Sequence, residues 1–267
     1  MVYYILIFII VIFFLRYMLY WKGMDLSEIY QDKPIYFGHR GDRNKFPENT
    51  IASFHSAIKR GLKAIELDVM LTKDKKLICS HNFDLEQETT GTGFVDETTY
   101  HDLSMIKTGK QFEKAKQQPI PLLTEAINSL PKDILINIEI KTIKIFDFKA
   151  AKMVVRLIKA NKIPQKIIVS SFNPFVVRLV KILSKSTPTG YIFEERKYFK
   201  GVYIARPDCL NPDLELLSEK DFHFCRKRNM RINVWTVNSI EYRNMLIDKN
   251  LDGIITDNPR LAQFSTR

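Results

Sequence analysis

The sequence predicts an α/β fold organised on a parallel sheet of eight strands, and three observations lead there. Short apolar runs alternate with segments of helical period along most of the 267 residues, which is the pattern of repeated strand-helix units. Charged residues punctuate two of these runs, Ile65-Glu66-Leu67-Asp68-Val69 and Ile138-Glu139-Ile140-Lys141, which places chemistry at the carboxyl ends of strands. The length suits one large domain with a sizeable core. Eight units permit closure into a barrel, although periodicity and length leave an open doubly wound sheet as an alternative.

The first segment is apolar. Residues 2 to 15 are all Val, Tyr, Ile, Leu or Phe, and the apolar character resumes after Arg16 through Tyr17, Met18, Leu19, Tyr20 and Trp21. About 20 such residues span a bilayer as a helix, a length reached here if Arg16 snorkels to the near interface. The missing basic leader and small-residue cleavage site speak against a signal peptide, and the missing polar face against a packed soluble helix. Residues 1–22 are therefore expected to form one transmembrane helix, a single-pass membrane anchor with Tyr17, Tyr20 and Trp21 as an interfacial belt. Arg16 and Lys22 on the domain side predict a catalytic domain facing the cytoplasm. Residues 23–33, with Gly23, Asp25, Ser27, Glu28 and Asp32, form a polar connector to a domain over 34–267.

That domain begins with a strand at 35–38. A loop follows, ending at Asn49 or Thr50, either of which is a helix N-cap type, and a helix runs to Gly61 with Ile51, Phe54 and Ile58 on one face. The second strand, 64–70, carries Glu66 and Asp68. After the Lys73-Asp74-Lys75 turn, 77–80 is a further extended piece. Residues 83–119 are rich in Thr, Gly, Gln and charge without a long period, as expected of an insertion beside a site. Thr89-Thr90-Gly91-Thr92-Gly93 lacks the bracketing strand and helix of a phosphate loop and is expected to be a turn. Strands at 134–140, 167–171, 189–193, 208–210, 231–236 and 253–256 then alternate with helices near 122–130, 147–161, 174–184, 214–228 and 239–249. The strand count is eight when 77–80 is set aside as a hairpin piece.

Glu66 and Asp68 are two apart in a strand and so share a face. Carboxylates that close either share a proton or hold a cation. An all-oxygen set favours one divalent hard ion, Mg²⁺, Ca²⁺ or Mn²⁺. His39-Arg40 adds a titratable imidazole beside a permanent cation suited to phosphate. Glu139 and Lys141 share a face likewise, with Asn137. The balance of 41 basic to 30 acidic residues, a net +11, favours anionic partners. The charge does not say which of phosphodiesters, anionic lipid or nucleic acid that would be; with no nucleic-acid motif and the lysines scattered through helices, a solvated basic surface is the expected reading and nucleic acid is not an expected partner. Cys79, Cys209 and Cys225 imply no disulfide framework, and the oligomeric state is not legible.

Several pieces together resemble the glycerophosphodiester phosphodiesterase family. They are His39-Arg40-Gly41, Pro47-Glu48-Asn49-Thr50, Glu66-Leu67-Asp68, His81 running into Thr90-Gly91-Thr92-Gly93, Ile138-Glu139-Ile140-Lys141, Ser170-Ser171-Phe172, Trp235-Thr236-Val237-Asn238 and Asp252-Gly253-Ile254-Ile255-Thr256-Asp257. They fall in the family's order over about residues 35 to 260. The resemblance implies a (β/α)₈ barrel of TIM type with a small insertion after the second strand, and it decides against the open sheet. It implies metal-dependent hydrolysis of glycerophosphodiesters to an alcohol and glycerol 3-phosphate. Glu66, Asp68 and Glu139 would hold the metal, His39 and His81 would act as acid and base, and Arg40, Lys141 and Trp235 would bind substrate. His55, His101 and His223 lack such neighbours and are expected to be bystanders. The family's usual Asp after its second histidine is Asn82 here, which puts the tuning of His81 in question. Two further expectations accompany this one: hydrolysis of membrane lysophospholipids, and an inactive barrel serving as a scaffold.

Overall fold

A computed structural model describes residues 1–32 and 34–263, including every side chain among them except those of Tyr17 and Met18. Eight parallel strands form the core: β1 Ile35–His39, β2 Ala64–Leu71, β3 Leu135–Ile140, β4 Ile167–Ser171, β5 Thr189–Phe193, β6 Cys209–Pro212, β7 Arg231–Val234 and β8 Gly253–Thr256. β1 pairs with β2 on one side and β8 on the other, closing the sheet into the expected barrel. The extra extended piece is Leu77–Cys79, which runs antiparallel to the end of β2, with Val69 opposite Cys79. It is a hairpin arm and not a stave.

Local chemistry sets the elements. β2 reads Ala-Ile-Glu-Leu-Asp-Val-Met-Leu and is buried at all but its last position, as a strand covered on both faces must be. Of the two N-cap candidates, Thr50 is the cap: its hydroxyl accepts from Ser53 N while Ser53 returns a bond to Thr50 N. Four helices hand over to the next strand through a residue in the left-handed region, Gly61, Asn161, Asn229 and Asn250. Gly and Asn are the residues that end helices this way. The expected helix over 214–228 begins with a tight turn, Leu214–Leu216, and is helical only at Glu219–Lys227. The 83–119 insertion contains a short helix, Tyr100–Ser104. It has its own apolar nucleus, in which Leu85, Val95 and Leu103 pack with Met70 and Ile78, so it is a folded cap over β2 with no need of long periodicity.

The N-terminal segment departs from expectation. Val2–Leu19 is one helix of 18 residues, and the side chains of residues 2 to 16 are exposed. Among the described residues, no helix is long and apolar enough to cross a membrane. At about 1.5 Å per residue this helix reaches about 27 Å, short of the ~30 Å hydrocarbon core. Trp21, expected in an interfacial belt, turns into the protein instead. It is buried, donates from Nε1 to Pro207 O at 3.2 Å, and packs edge-on against Tyr203 and Phe224. The connector is equally engaged. Gly23 N donates to Arg228 O, Met24 N to Asp208 Oδ1, and Leu26 and Tyr30 plug the amino-terminal end of the barrel. Trp21→Ala is therefore expected to cost about 3 to 5 kcal/mol of stability. Removal of residues 1 to 19 should leave the melting temperature within a few degrees, whereas removal of 1 to 24 should lower it sharply; equal melting of the two truncations would refute this packing.

Candidate active site

The site is built where β1, β2 and β3 end. Beyond β1 the chain turns at Arg40 (φ 55°) and Gly41 (φ 86°). A Cβ on Gly41 would lie 2.4 Å from Ser53 Oγ, so this turn requires glycine. It aims Arg40 N at Glu66 Oε2, 3.0 Å away. The Arg40 side chain then bridges the motif behind it, with one guanidinium nitrogen 2.8 Å from Glu48 Oε1 and Nε 3.2 Å from Asp68 Oδ2. Asn49, also left-handed (φ 56°), clamps Asp68 by both ends: its Nδ2 donates to Oδ2 at 2.9 Å and its Oδ1 accepts from Asp68 N at 3.0 Å. The resemblance marked this segment without assigning it work. Glu48 and Asn49 hold Arg40 and Asp68 in place, and no local sequence signal marks that work.

Glu66, Asp68 and Glu139 converge, each offering one oxygen within 4.8 Å of the others. All three are buried; among the described residues Glu66 Oε1 and Asp68 Oδ1 accept no hydrogen bond, and Glu139 Oε1 is met by Lys141. Converging carboxylate oxygens left so poorly satisfied fit a hard divalent cation. Their proton affinities carry the same message. Burial, followed by the charges of Asp68 and Glu139, raises Glu66 well above the carboxylate range. Burial lifts Glu139 to about 7 against the pull of Lys141. For Asp68 burial acts upward too, but Arg40, Lys141, His81 and Asn49 outweigh it and leave it ionised. Lys141 Nζ lies 3.0 Å from Glu139 Oε1 and 3.9 Å from Asp68 Oδ1.

These groups open into a cavity of about 860 Å³, which His39, Arg40, Glu66, His81, Glu139 and Lys141 all line. His39 Nδ1 meets Asp257 Oδ1 at 2.7 Å, and Asn238 Nδ2 holds the second oxygen of Asp257 at 2.8 Å. Burial lowers the His39 pKa, with Asp257 opposing. Asp257 was quoted within the last motif, but its pairing across 218 positions has no local sequence signal. His81 Nδ1 meets Asn82 Oδ1 at 2.8 Å, so Asn82 preserves the orienting contact that its charge cannot reinforce. Burial, chiefly, drops the His81 pKa to about 4. Asn82→Asp should raise that pKa, because a carboxylate favours imidazolium, and move the histidine-dependent limb of the pH-rate profile toward higher pH. An unchanged profile in an active enzyme would make position 82 structural.

The opposite wall is aromatic. Trp235, half-buried, donates from Nε1 to Asn211 O at 2.9 Å and meets Phe172 edge-on at 5.6 Å, while Lys141 Nζ sits 5.3 Å from the Phe172 ring. Phe172 thus lines the site, and Asn173 beside it both lines the cavity and caps the helix Pro174–Leu183. Of the remaining histidines, His55 bonds to Ser129 O away from the cavity.

The comparisons with known proteins point to one family. The model of the glycerophosphoryl diester phosphodiesterase family matches residues 39–261. A glycerophosphodiester phosphodiesterase of Caldanaerobacter subterraneus subsp. tengcongensis is 32% identical over 238 residues, covering 85% of this chain and 95% of that protein. One from Bacillus subtilis is 28% identical over 260 residues, 90% of this chain and 88% of its own. Among solved structures, a phosphodiesterase of Oleispira antarctica in complex with the product sn-glycerol-3-phosphate superposes with a TM-score of 0.80 at 25% identity, covering 88% of this chain and 97% of that one. The glycerophosphodiester phosphodiesterase of Thermotoga maritima gives 0.69 at 30% identity, with 86% and 97% covered. With a closed barrel, a carboxylate cluster at its carboxyl end and a family match over nearly the whole catalytic region, the chain belongs to the glycerophosphoryl diester phosphodiesterase family.

Proposed function

We propose that this phosphodiesterase hydrolyses glycerophosphodiesters to an alcohol and glycerol 3-phosphate, using a divalent cation and two histidines. The observation that carries the reading is the convergence of three buried carboxylates, two of them with an oxygen that accepts no hydrogen bond, beside a cavity that His39 and His81 both line. Glu66, Asp68 and Glu139 would hold the cation, whose chemistry is to polarise a phosphoryl oxygen and neutralise its charge. Arg40 and Lys141 bring two further positive charges to the same phosphate. His39 is neutral at pH 7, since burial lowers its pKa, and Asp257 stands ready to stabilise its imidazolium. It takes the proton of the glycerol hydroxyl next to the phosphate as that oxygen attacks phosphorus. His81 would deliver a proton to the departing alcohol from its imidazolium form, which a bound phosphate's negative charge must favour against the burial that holds the pKa at about 4 in the free site. Water then opens the cyclic phosphate with the two roles exchanged.

The test is a substrate panel. Excess chelator should abolish release of glycerol 3-phosphate from a glycerophosphodiester, and Mg²⁺, Ca²⁺ or Mn²⁺ should restore it; full turnover in chelator would reject the metal-dependent reading. A second reading, action on lysophospholipids, is favoured by Ile143, Ile145 and Phe146, which stand exposed in the loop that follows Lys141, with Ile143 and Ile145 lining the cavity. The exposed apolar side chains of residues 2 to 15 support membrane association through the N-terminal helix, with the barrel on the cytoplasmic side as the charges of Arg16 and Lys22 favour. Flotation of the full chain with liposomes, lost on removal of residues 1 to 19, would test it. An inactive scaffold is disfavoured, because His39, His81, Glu66 and Glu139 line the cavity and Asp68 converges with the two glutamates.

A further inference from the structure

The loop that leads from β3 into the next helix, residues 142–148, turns apolar side chains toward solvent. Ile143, Ile145 and Phe146 are 57%, 55% and 68% exposed. Single exposed apolar residues need no explanation, but three of them so close together in one loop mark a contact site. The loop is built to hold them there. Asn173 Nδ2 donates to Ile145 O at 2.7 Å and to Thr142 Oγ1 at 3.2 Å, and Asp147 N closes a turn on Lys144 O at 3.0 Å. The Phe146 ring leans on Phe148 and Phe175, with centroids 6.4 Å and 5.3 Å away. The tip is thus anchored from behind by the residue that caps Pro174–Leu183, and its apolar side chains stay outside.

Its surroundings are cationic on balance. Lys141, Lys144 and Lys149 line the groove beside the tip together with Asp96 and Asp147. Lys144 and Lys149 are exposed, and Asp147 Oδ1 is already engaged by Lys149 N at 3.1 Å. Ile143 and Ile145 also belong to the wall of the active-site cavity, so whatever covers the tip meets the mouth of the site. A protein partner fits poorly, because three side chains fall far short of the roughly 800 Å² that each side of a standard protein interface contributes. A bilayer surface fits well: apolar side chains enter the boundary of the acyl chains while lysines meet anionic head groups. The Ile145 carbonyl, bonded to Asn173, would carry no unsatisfied group into that layer.

We propose that the 142–148 loop docks the barrel on anionic lipid bilayers, with Ile143, Ile145 and Phe146 entering the interface and Lys144 and Lys149 facing the head groups. This contact goes beyond the hydrolysis proposed above and does not depend on which diester is cleaved. It is also separate from the N-terminal helix. That helix joins the barrel at its amino-terminal end, where Trp21 bonds to Pro207 and Gly23 to Arg228, whereas the loop follows the carboxyl end of β3. Docking through the loop sets the mouth of the cavity at the level of the head groups.

Phe146→Trp in the full chain puts a reporter at the tip. The native tryptophans, Trp21 and Trp235, are buried and half-buried, so the wild-type chain supplies the background. The probe is a vesicle of equal parts phosphatidylcholine and phosphatidylglycerol, brominated along the acyl chains. The variant should lose about twice as much fluorescence as wild type or more, and clearly less on phosphatidylcholine alone. Adding Lys144→Glu and Lys149→Glu should raise the lipid concentration at half-quenching by about tenfold or more, and high salt should act in the same direction. A melting temperature within a few degrees of wild type confirms that these surface changes leave the fold intact, and Phe146→Trp alone still decides the matter where the charge reversals do not. Quenching no greater than in wild type, equal quenching on the two kinds of vesicle, or an unmoved midpoint in the folded charge-reversed protein would overturn the docking site. So would self-association in lipid-free solution that Phe146→Ser abolishes, which would assign the tip to a second copy of the chain. No diester enters the assay, so failure of the proposed hydrolysis leaves its result unchanged.

Discussion

Replacing His39 or His81 by alanine is expected to lower kcat by about 10²-fold or more, while His101→Ala leaves it within about twofold. The two histidines reach the cavity from separate places, the end of β1 and the loop after Leu77–Cys79, and each has its Nδ1 occupied, by Asp257 and by Asn82. With Nδ1 so engaged, Nε2 is left to exchange protons in the cavity that both side chains line. The partners differ in charge, and this separates the two variants. Asp257→Asn should weaken His39 as a base and cost activity most at neutral and higher pH, with the acidic limb of the profile moving to lower pH. The sign follows from linkage: losing a carboxylate lowers the affinity of His39 for the proton it must accept. His101 is exposed on the short insertion helix, so its replacement reports only non-specific damage. Equal and small losses at all three positions, measured on one diester with saturating cation, would reject the acid-base assignment.

Much of this was legible in the chain, for reasons that can be named. The barrel staves are short apolar runs bounded by polar turns, and their burial on both faces makes that pattern unambiguous; the eight strands fall close to where the sequence put them. Glu66 and Asp68 were readable as a pair because a strand puts alternate residues on one side, and Glu139 with Lys141 by the same rule. What was not readable depends on closure. Asp257 reaches His39 only because β8 pairs with β1, and Asn49 reaches Asp68 only because the loop folds back through a left-handed turn. The role of Trp21 was misjudged for a related reason. An aromatic residue at the end of an apolar run has the composition of a membrane interface, and its contacts with Tyr203, Pro207 and Phe224 come from segments more than 180 residues away.

Neutralising one member of the carboxylate cluster should separate metal binding from fold stability. Glu66→Gln or Glu139→Gln is expected to cost about 10²-fold or more in activity, since outer or inner partners of a bound metal are worth that much individually. The physical chemistry sets the pH dependence as well. In the metal-free protein Glu139 titrates at about 7 and Glu66 lies well above the usual range, both raised by burial and by their neighbours' charge. Carboxyls whose folded pKa exceeds the unfolded value stabilise the fold below the unfolded value and lose that contribution as pH rises through the folded one. Metal-free protein should therefore lose stability between about pH 4.5 and pH 7 and beyond. A cation competes with those protons for the same oxygens, so its affinity should fall as pH drops below about 7, by roughly tenfold per unit for each proton displaced. The increase in melting temperature on adding Mg²⁺ or Mn²⁺ should then be larger at pH 8 than at pH 5. Glu66→Gln removes one of the repelling charges: the metal-free variant should melt higher than wild type at pH 8, yet gain little from the cation. Wild type whose melting is indifferent to cation at both pH values, or a variant stabilised by cation as strongly as wild type, would show that the three carboxylates do not bind it together.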